Sequence, residues 1–214
     1  MNNLIRQFML GVAVIIFLSA CTNLANLREI LNTVSYDQAN IAFQLNPNVT
    51  QMKFAVGETR GKFRVVSAQL GFSSTDLQTG ILEVTIATGS VDLANPLVEE
   101  MLRTKEWFHS KVHKLATFRS TQIHIQQSES KIEGVLTIRA LSQPISLQVS
   151  FPKGVPNLEE PPDQIPFQAR GFFYRSDFGM NALTEFAPDR VDLEITGEFI
   201  PAQQIDSQPH IAEQ

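Results

Sequence analysis

The segment Val191-Asp192-Leu193-Glu194-Ile195-Thr196-Gly197-Glu198-Phe199 alternates without a fault, apolar or glycine at one position and polar at the next. Successive side chains of a strand point to opposite faces, so this period builds a strand with one dry face and one wet face. A slip of one residue would carry four polar side chains into the core, so the register is fixed as firmly as the fold class. The same rhythm returns along the chain. Ile41, Phe43 and Leu45 carry it, as do Met52, Phe54 and Val56, then Phe63 and Val65, and Leu82, Val84 and Ile86. It continues in Ile123 and Ile125, in Ile132, Gly134, Leu136 and Ile138, and in Ile145, Leu147, Val149 and Phe151. A chain made of such segments must close its apolar faces against each other.

One segment breaks the period. Between Asn95 and Lys111 the apolar residues Leu97, Met101, Leu102 and Phe108 are separated by charged ones, and Asn95-Pro96 supplies a cap and a first-turn residue. The reading is roughly eight antiparallel strands with one helix. Closure into a barrel removes exposed edges, and a two-sheet sandwich is the alternative. Pro152 to Pro166 holds five prolines and few apolar residues, a long loop of the kind that forms lids, although a plain surface insertion has the same composition. The tail 201–214 is polar and reads as disordered.

The N-terminus carries an address. Arg6 precedes the apolar or small run Phe8 to Leu18, which is too short to span a bilayer and has the length of a signal-peptide core. Leu18-Ser19-Ala20-Cys21 resembles the bacterial lipoprotein lipobox, which implies cleavage before Cys21 and acylation of its thiol and new amino terminus. The expected organisation is a signal peptide over 1–20, a lipid-anchored linker over 21–34, a barrel domain over 35–200 and the tail. Thr22 rather than Asp follows the cysteine, which implies the outer membrane of a Gram-negative envelope, with the domain facing the periplasm. Within the linker, Leu24, Leu27, Ile30, Leu31 and Val34 fall at helical spacing, and a short amphipathic helix or a plain spacer fits equally.

Charge and composition exclude several functions. Without Arg6 the 17 basic residues become 16 against 22 acidic ones, a net charge near −6, which disfavours nucleic acid and anionic lipid surfaces. The single cysteine is committed to the lipobox, so no thiol is left for disulfide or thiolate chemistry. No Gly-x-Ser-x-Gly or phosphate-loop pattern is present. His109 and His113 are four apart without a third ligand nearby, His124 falls on a polar face, and surface roles account for all three. Glu159-Glu160 reads as a solvated pair. The expectation is a binding protein rather than an enzyme, with no catalytic residue, metal or cofactor. Phe stands out, at 15 residues against two Tyr and one Trp. Phenylalanine buries a large apolar area without a polar handle, and suits either a solid core or a cavity for an apolar ligand.

Six strings in order resemble the YceI-like family of bacterial periplasmic proteins. They are Ile81–Ile86 with Ser90-Val91-Asp92; Leu102-Arg103 with Trp107-Phe108; Ala116-Thr117-Phe118-Arg119-Ser120-Thr121; Leu136-Thr137-Ile138 with Pro144-Ile145-Ser146-Leu147; Arg175-Ser176-Asp177-Phe178-Gly179-Met180; and Val191–Ile195. Two family histidines are absent: Val98-Glu99-Glu100-Met101-Leu102 replaces one, and Arg139-Ala140 stands where the family has His-Gly. The resemblance implies an eight-stranded, lipocalin-like barrel covered by a helix. It also implies an apolar channel holding a polyisoprenoid, such as a quinone tail or a polyprenyl carrier.

On this reading the wall residues are Phe43, Phe54, Phe63, Leu82, Val84, Ile86, Leu136, Ile138, Leu147, Val149 and Phe173. Arg175 and Asp177 would share one face of a strand, either gripping a head group or forming a structural ion pair beside a bend at Gly179. The partners expected are an apolar lipid and the membrane, through the anchor; a homodimer stays open. A filled barrel acting as an envelope stress or interaction module is the alternative. An enzyme on this scaffold is disfavoured. So is a true lipocalin, since the lone Trp107 lies mid-chain.

Overall fold

The computed structural model describes residues 41–202, apart from 74–75, 127–128, 158–159, 184 and 186. The signal segment 1–20, Cys21, the linker and the tail beyond 202 lie outside the described residues. Eleven strands form one sheet: β1 (Ile41–Leu45), β2 (Gln51–Val56), β3 (Thr59–Phe63), β4 (Val66–Ser73), β5 (Asp76–Ala87), β6 (Val91–Leu93), β7 (Leu115–His124), β8 (Ser130–Ile138), β9 (Leu141–Ser150), β10 (Ile165–Tyr174) and β11 (Arg190–Pro201). One helix, α1 (Pro96–Arg103), follows β6.

The eleven strands amount to eight staves. β1 and β2 both run antiparallel to β11, opposite Phe199–Pro201 and Asp192–Thr196 respectively, so they are one stave interrupted at 46–50. β4 and β3 pair with β1 and β2 in turn, and β5 and β6 pair with β4 and β3. From there β7 to β11 each pair with the next strand, and the β11–β1 ladder closes the ring. The result is a closed antiparallel meander of eight staves with one helix. Closure leaves no edge for Val191 to Phe199 to expose, and their apolar row faces inward with Val191, Leu193 and Phe199 buried.

Strand direction defines two ends. The upper end carries the β2–β3 turn, α1 with residues 104–114, the β8–β9 turn and the segment 175–189. The lower end carries the loops after β4, β7 and β9, and it is where Ile41 and Ala202 stand.

The structure corrects several expectations. The helix stops at Arg103, not Lys111. Thr104 takes an extended conformation, and the chain folds back so that the amides of Phe108 and Ser110 donate to the carbonyls of Leu102 and Arg103. This fold-back buries Trp107 and Phe108, which a continued helix would leave on its outer side. Strand β3 ends at Phe63, and Val65, expected to continue the alternation with it, is exposed between strands; β4 and β10 also differ from the expected set of strands. β4 carries Val66, Ala68, Leu70 and Phe72 inward, and β10 places Ile165, Ala169 and Phe173 inward. Pro166 lies inside β10, so the proline-rich loop ends at Gln164, and β11 continues through Pro201, which pairs with Phe43.

A cavity in two chambers

The apolar rows do not fill the barrel. A cavity of about 100 Å³ occupies the lower half and a second of about 60 Å³ the upper half, and the exposed surface inside both is wholly apolar. The lower chamber is walled by Leu70, Phe72, Leu82, Val84, Ile123, Leu147, Val149, Ile165 and Phe199 among others, with His124, Ile125 and Phe151 at the loop end. The upper chamber is bounded by Phe54, Phe63, Ile138, Phe173 and Val191, and α1 and its fold-back close it with Leu102, Trp107 and Phe108. Met52, Ile86, Leu136 and Leu193 border both. An apolar space of this size has no partners for water and favours an apolar guest.

Ten of the eleven expected wall residues border one of the chambers. Leu82, Val84, Leu147 and Val149 face the lower one; Phe54, Phe63, Ile138 and Phe173 face the upper one; Ile86 and Leu136 face both. Phe43 is buried but lines neither. Phe118 lies inward against Gly134 on β8, where a Cβ would run into its ring and into the Arg119 carbonyl. Gly61 accommodates Phe54 in the same way. Large rings on one strand are thus seated over a missing side chain on the next, so they line the interior without plugging it. Ile123 and Phe199, on apolar rows legible in the sequence, also line the lower chamber, as does Ile165; which ring lies over which glycine is not written in local order, because it depends on adjacency across the ring.

The strings shared with the family have structural roles at the ends. Arg175 does not stand on a strand beside Asp177. It opens a 3₁₀ turn (Arg175–Phe178), Asp177 is exposed, and the expected ion pair is not formed. Arg175 is 1% exposed. Its Nε donates to the Pro188 carbonyl at 3.0 Å, Nη1 to those of Ala182 at 2.7 Å and of Met180, and Nη2 to that of Ala187 at 2.9 Å. The guanidinium also lies 5.0 Å from the Trp107 ring centroid. Four of its five N–H groups are therefore committed to backbone, which makes it a clamp on the segment 180–188 rather than a free head-group site. Ser176 donates its hydroxyl to Asp189 at 2.6 Å. Gly179 sits at φ 70°, the left-handed conformation that ends the turn and favours glycine.

The helix is held over the upper chamber by polar contacts. Asn95 accepts the Leu97 amide as N-cap. Glu99 accepts from the Leu93 amide at 3.1 Å and pairs with Arg103 at 2.6 Å, while Arg103 also donates to the carbonyls of Gly89 and Val91. Hydrogen bonds from Arg103 and then from the Leu93 amide hold the Glu99 carboxyl below the ordinary range. Arg64 does the same to Asp92, at 3.1 Å. In the wall, Ser120 is buried beside a bulge in β7, and its hydroxyl accepts the Leu82 amide at 2.8 Å. At the upper hairpin, Arg139 and Ala140 both adopt left-handed conformations (φ 54° and 64°), and Arg139 donates to the Gly179 carbonyl at 2.7 Å.

His109 and His113 stack edge-on, with ring centroids 5.7 Å apart. Among the described residues no cluster of His, Cys, Asp or Glu is arranged to hold a metal ion, and no helix is long and apolar enough to cross a membrane.

The comparisons agree with this architecture. The chain is 28% identical over 137 residues to a UPF0312 protein of Pectobacterium atrosepticum, covering 63% of this chain and 69% of that one. A crystal structure of the Campylobacter jejuni YceI protein superimposes with a TM-score of 0.59 at 26% identity, covering 70% of this chain and 88% of that one. A polyisoprenoid-binding domain from Saccharophagus degradans, implicated in plant cell wall breakdown, shares the fold with a TM-score of 0.57 at 14% identity, covering 76% of this chain and the whole of that one. The YceI-like domain model matches residues 33–199, more than half of the sequence, and the chain belongs to that family.

Proposed function

We propose that this protein is a lipid-anchored envelope protein that holds a polyisoprenoid or similar apolar chain, of quinone or polyprenyl type, inside its barrel and performs no catalysis. The observation that carries the reading is the tandem cavity: an apolar interior running along the barrel, left open by the seating of rings over glycines. Family membership and the shared fold with a polyisoprenoid-binding domain support it. Burial of isoprene surface at roughly 25 cal/mol per Å² gives affinity without any hydrogen bond. A solid-core interaction module leaves such a cavity without purpose.

The placement of the chain's beginning fits the anchor. Ile41 stands at the lower end, 20 positions after Cys21, so an acylated Cys21 would tether the lower chamber within reach of the bilayer. An extended linker of that length reaches at most about 70 Å. On this reading the protein takes up or delivers its ligand at one membrane, the periplasmic face of the outer membrane, and does not shuttle freely.

Extraction of the protein from its native host followed by lipid mass spectrometry tests the ligand. A recovered isoprenoid, lost in Leu147→Trp, which fills the lower chamber, supports the reading. Repeated recovery of empty protein, with partner proteins cross-linked equally to wild type and Leu147→Trp, favours the interaction module. Cys21→Ser tests the anchor separately: the variant should leave the membrane fraction, and retention there would refute acylation.

A further inference from the structure

The four residues bordering both chambers come from four strands: Met52 from β2, Ile86 from β5, Leu136 from β8 and Leu193 from β11. Each is less than a tenth exposed, and together they form the boundary between the two chambers, here called the waist. They differ in stiffness. Ile86 is β-branched and held at χ1, whereas Met52 is unbranched, with a polarizable side chain that repacks readily. Beyond the waist, Leu102, Trp107 and Phe108 cover the upper chamber. Arg175 there is already committed to backbone carbonyls, so the chamber suits the apolar end of a chain and not a charged head.

Resting on the apolar-chain reading above, we propose that Met52 is a chain-length determinant. A short prenyl chain enters tail-first and fills the lower chamber alone. A longer chain passes the waist by displacing the Met52 side chain and ends against Trp107. Specificity for isoprenoid length is set by the waist, not by the total length of the barrel.

Trp107 is the only tryptophan in the chain and borders the upper chamber alone, so its fluorescence reports passage. The full-length protein is titrated with farnesol, geranylgeraniol and solanesol, with binding followed by calorimetry and passage by Trp107 emission. In the wild type, farnesol should bind without changing the emission and solanesol should change it. Met52→Ala should raise the affinity for solanesol relative to farnesol about tenfold, the discrimination that a few carbons of cavity provide, and should bring geranylgeraniol within reach of Trp107. Met52→Phe should shift the ratio the other way. Leu193→Ala opens the same waist from β11 and substitutes for Met52→Ala if that variant folds poorly. Binding of all three prenols with an unchanged affinity ratio and unchanged emission in these variants would overturn the waist. Absence of prenol binding to the wild type would overturn the apolar-chain reading itself, and the calorimetry alone separates the two failures.

Discussion

The two ends of the barrel are built from different chemistry. The buried polar side chains of the upper half are Arg175 and Thr88; those of the lower half are the hydroxyls of Ser120 and Ser130. The upper end is closed by a helix with a cap, a network of Glu99, Arg103, Arg64 and Asp92, and a buried guanidinium bonded to four carbonyls. At the lower end the chamber wall includes the half-buried Ile125, Phe151 and Phe167. Buried charge is retained where its geometry can be satisfied completely, and that fixes one arrangement. The two halves therefore divide their labour: above, a buried charge and a helix network cover the chamber, and below, the apolar wall is braced by two hydroxyls, Ser120 on the Leu82 amide and Ser130 on Gln126.

Four experiments would break or sharpen this contrast. The largest effect belongs to the upper end. Arg175→Met strands the carbonyls of Met180, Ala182, Ala187 and Pro188, each of which loses a charge-assisted bond, and should lower stability by about 3 kcal/mol or more. For a domain of this size that is a fall of roughly 10 °C in the thermal midpoint, read by circular dichroism. A loss below about 1 kcal/mol would show that the segment 180–188 holds itself and that the upper end is not clamped.

The lower wall should respond less. Ser120→Ala leaves the Leu82 amide without its acceptor at a bulge, a cost of about 1–3 kcal/mol, measurable by urea unfolding. If it matched Arg175→Met, the two halves would be equally dependent on buried polar bonds and the contrast would fail.

A smaller change, of opposite sign, is expected at the upper hairpin. Ala140 holds a left-handed conformation without being glycine, so Ala140→Gly should stabilise by about 1 kcal/mol, raising the midpoint by about 2–4 °C. A fall would mean that the Ala140 methyl packs usefully at the upper end.

The smallest effect is the pH dependence of the helix network. Glu99 has a depressed pKa in the folded state, so its ionised form contributes stability above its unfolded pKa of about 4.3. That contribution is lost as pH falls through the lower folded value. Glu99→Gln should therefore unfold more easily than wild type near neutrality, and the gap should close in acid. A gap independent of pH would assign the role of Glu99 to packing rather than charge.

Much of this was legible in the residues. The faultless alternation from Val191 to Phe199 specified a strand, its inward row and its register, because a one-residue slip is ruinous on a sheet with one dry face. Ten of the eleven residues expected in the wall border a chamber, most of them because the same alternation points them inward. β10 is hard to read where Pro166, Ala169 and Gly171 dilute the apolar row, and the helical pattern reads too long because Phe108 follows Leu97, Met101 and Leu102 between charged residues, although the chain turns back after Arg103. The two-residue spacing of Arg175 and Asp177 suggests one face of a strand, and nothing local announces that Arg175 turns inward to collect four carbonyls from the following loop.

The class of structure and most of the inward rows follow from the sequence, for these depend on local order and on the partition of side chains between oil and water. Only the tertiary structure decided whether the inward rows meet or leave a space, since that depends on which ring lands over which glycine on the neighbouring strand. The space likewise divides into two chambers where Met52, Ile86, Leu136 and Leu193 meet, and Arg175 binds backbone carbonyls, because hydrogen-bond partners distant in sequence are chosen only when the ring closes.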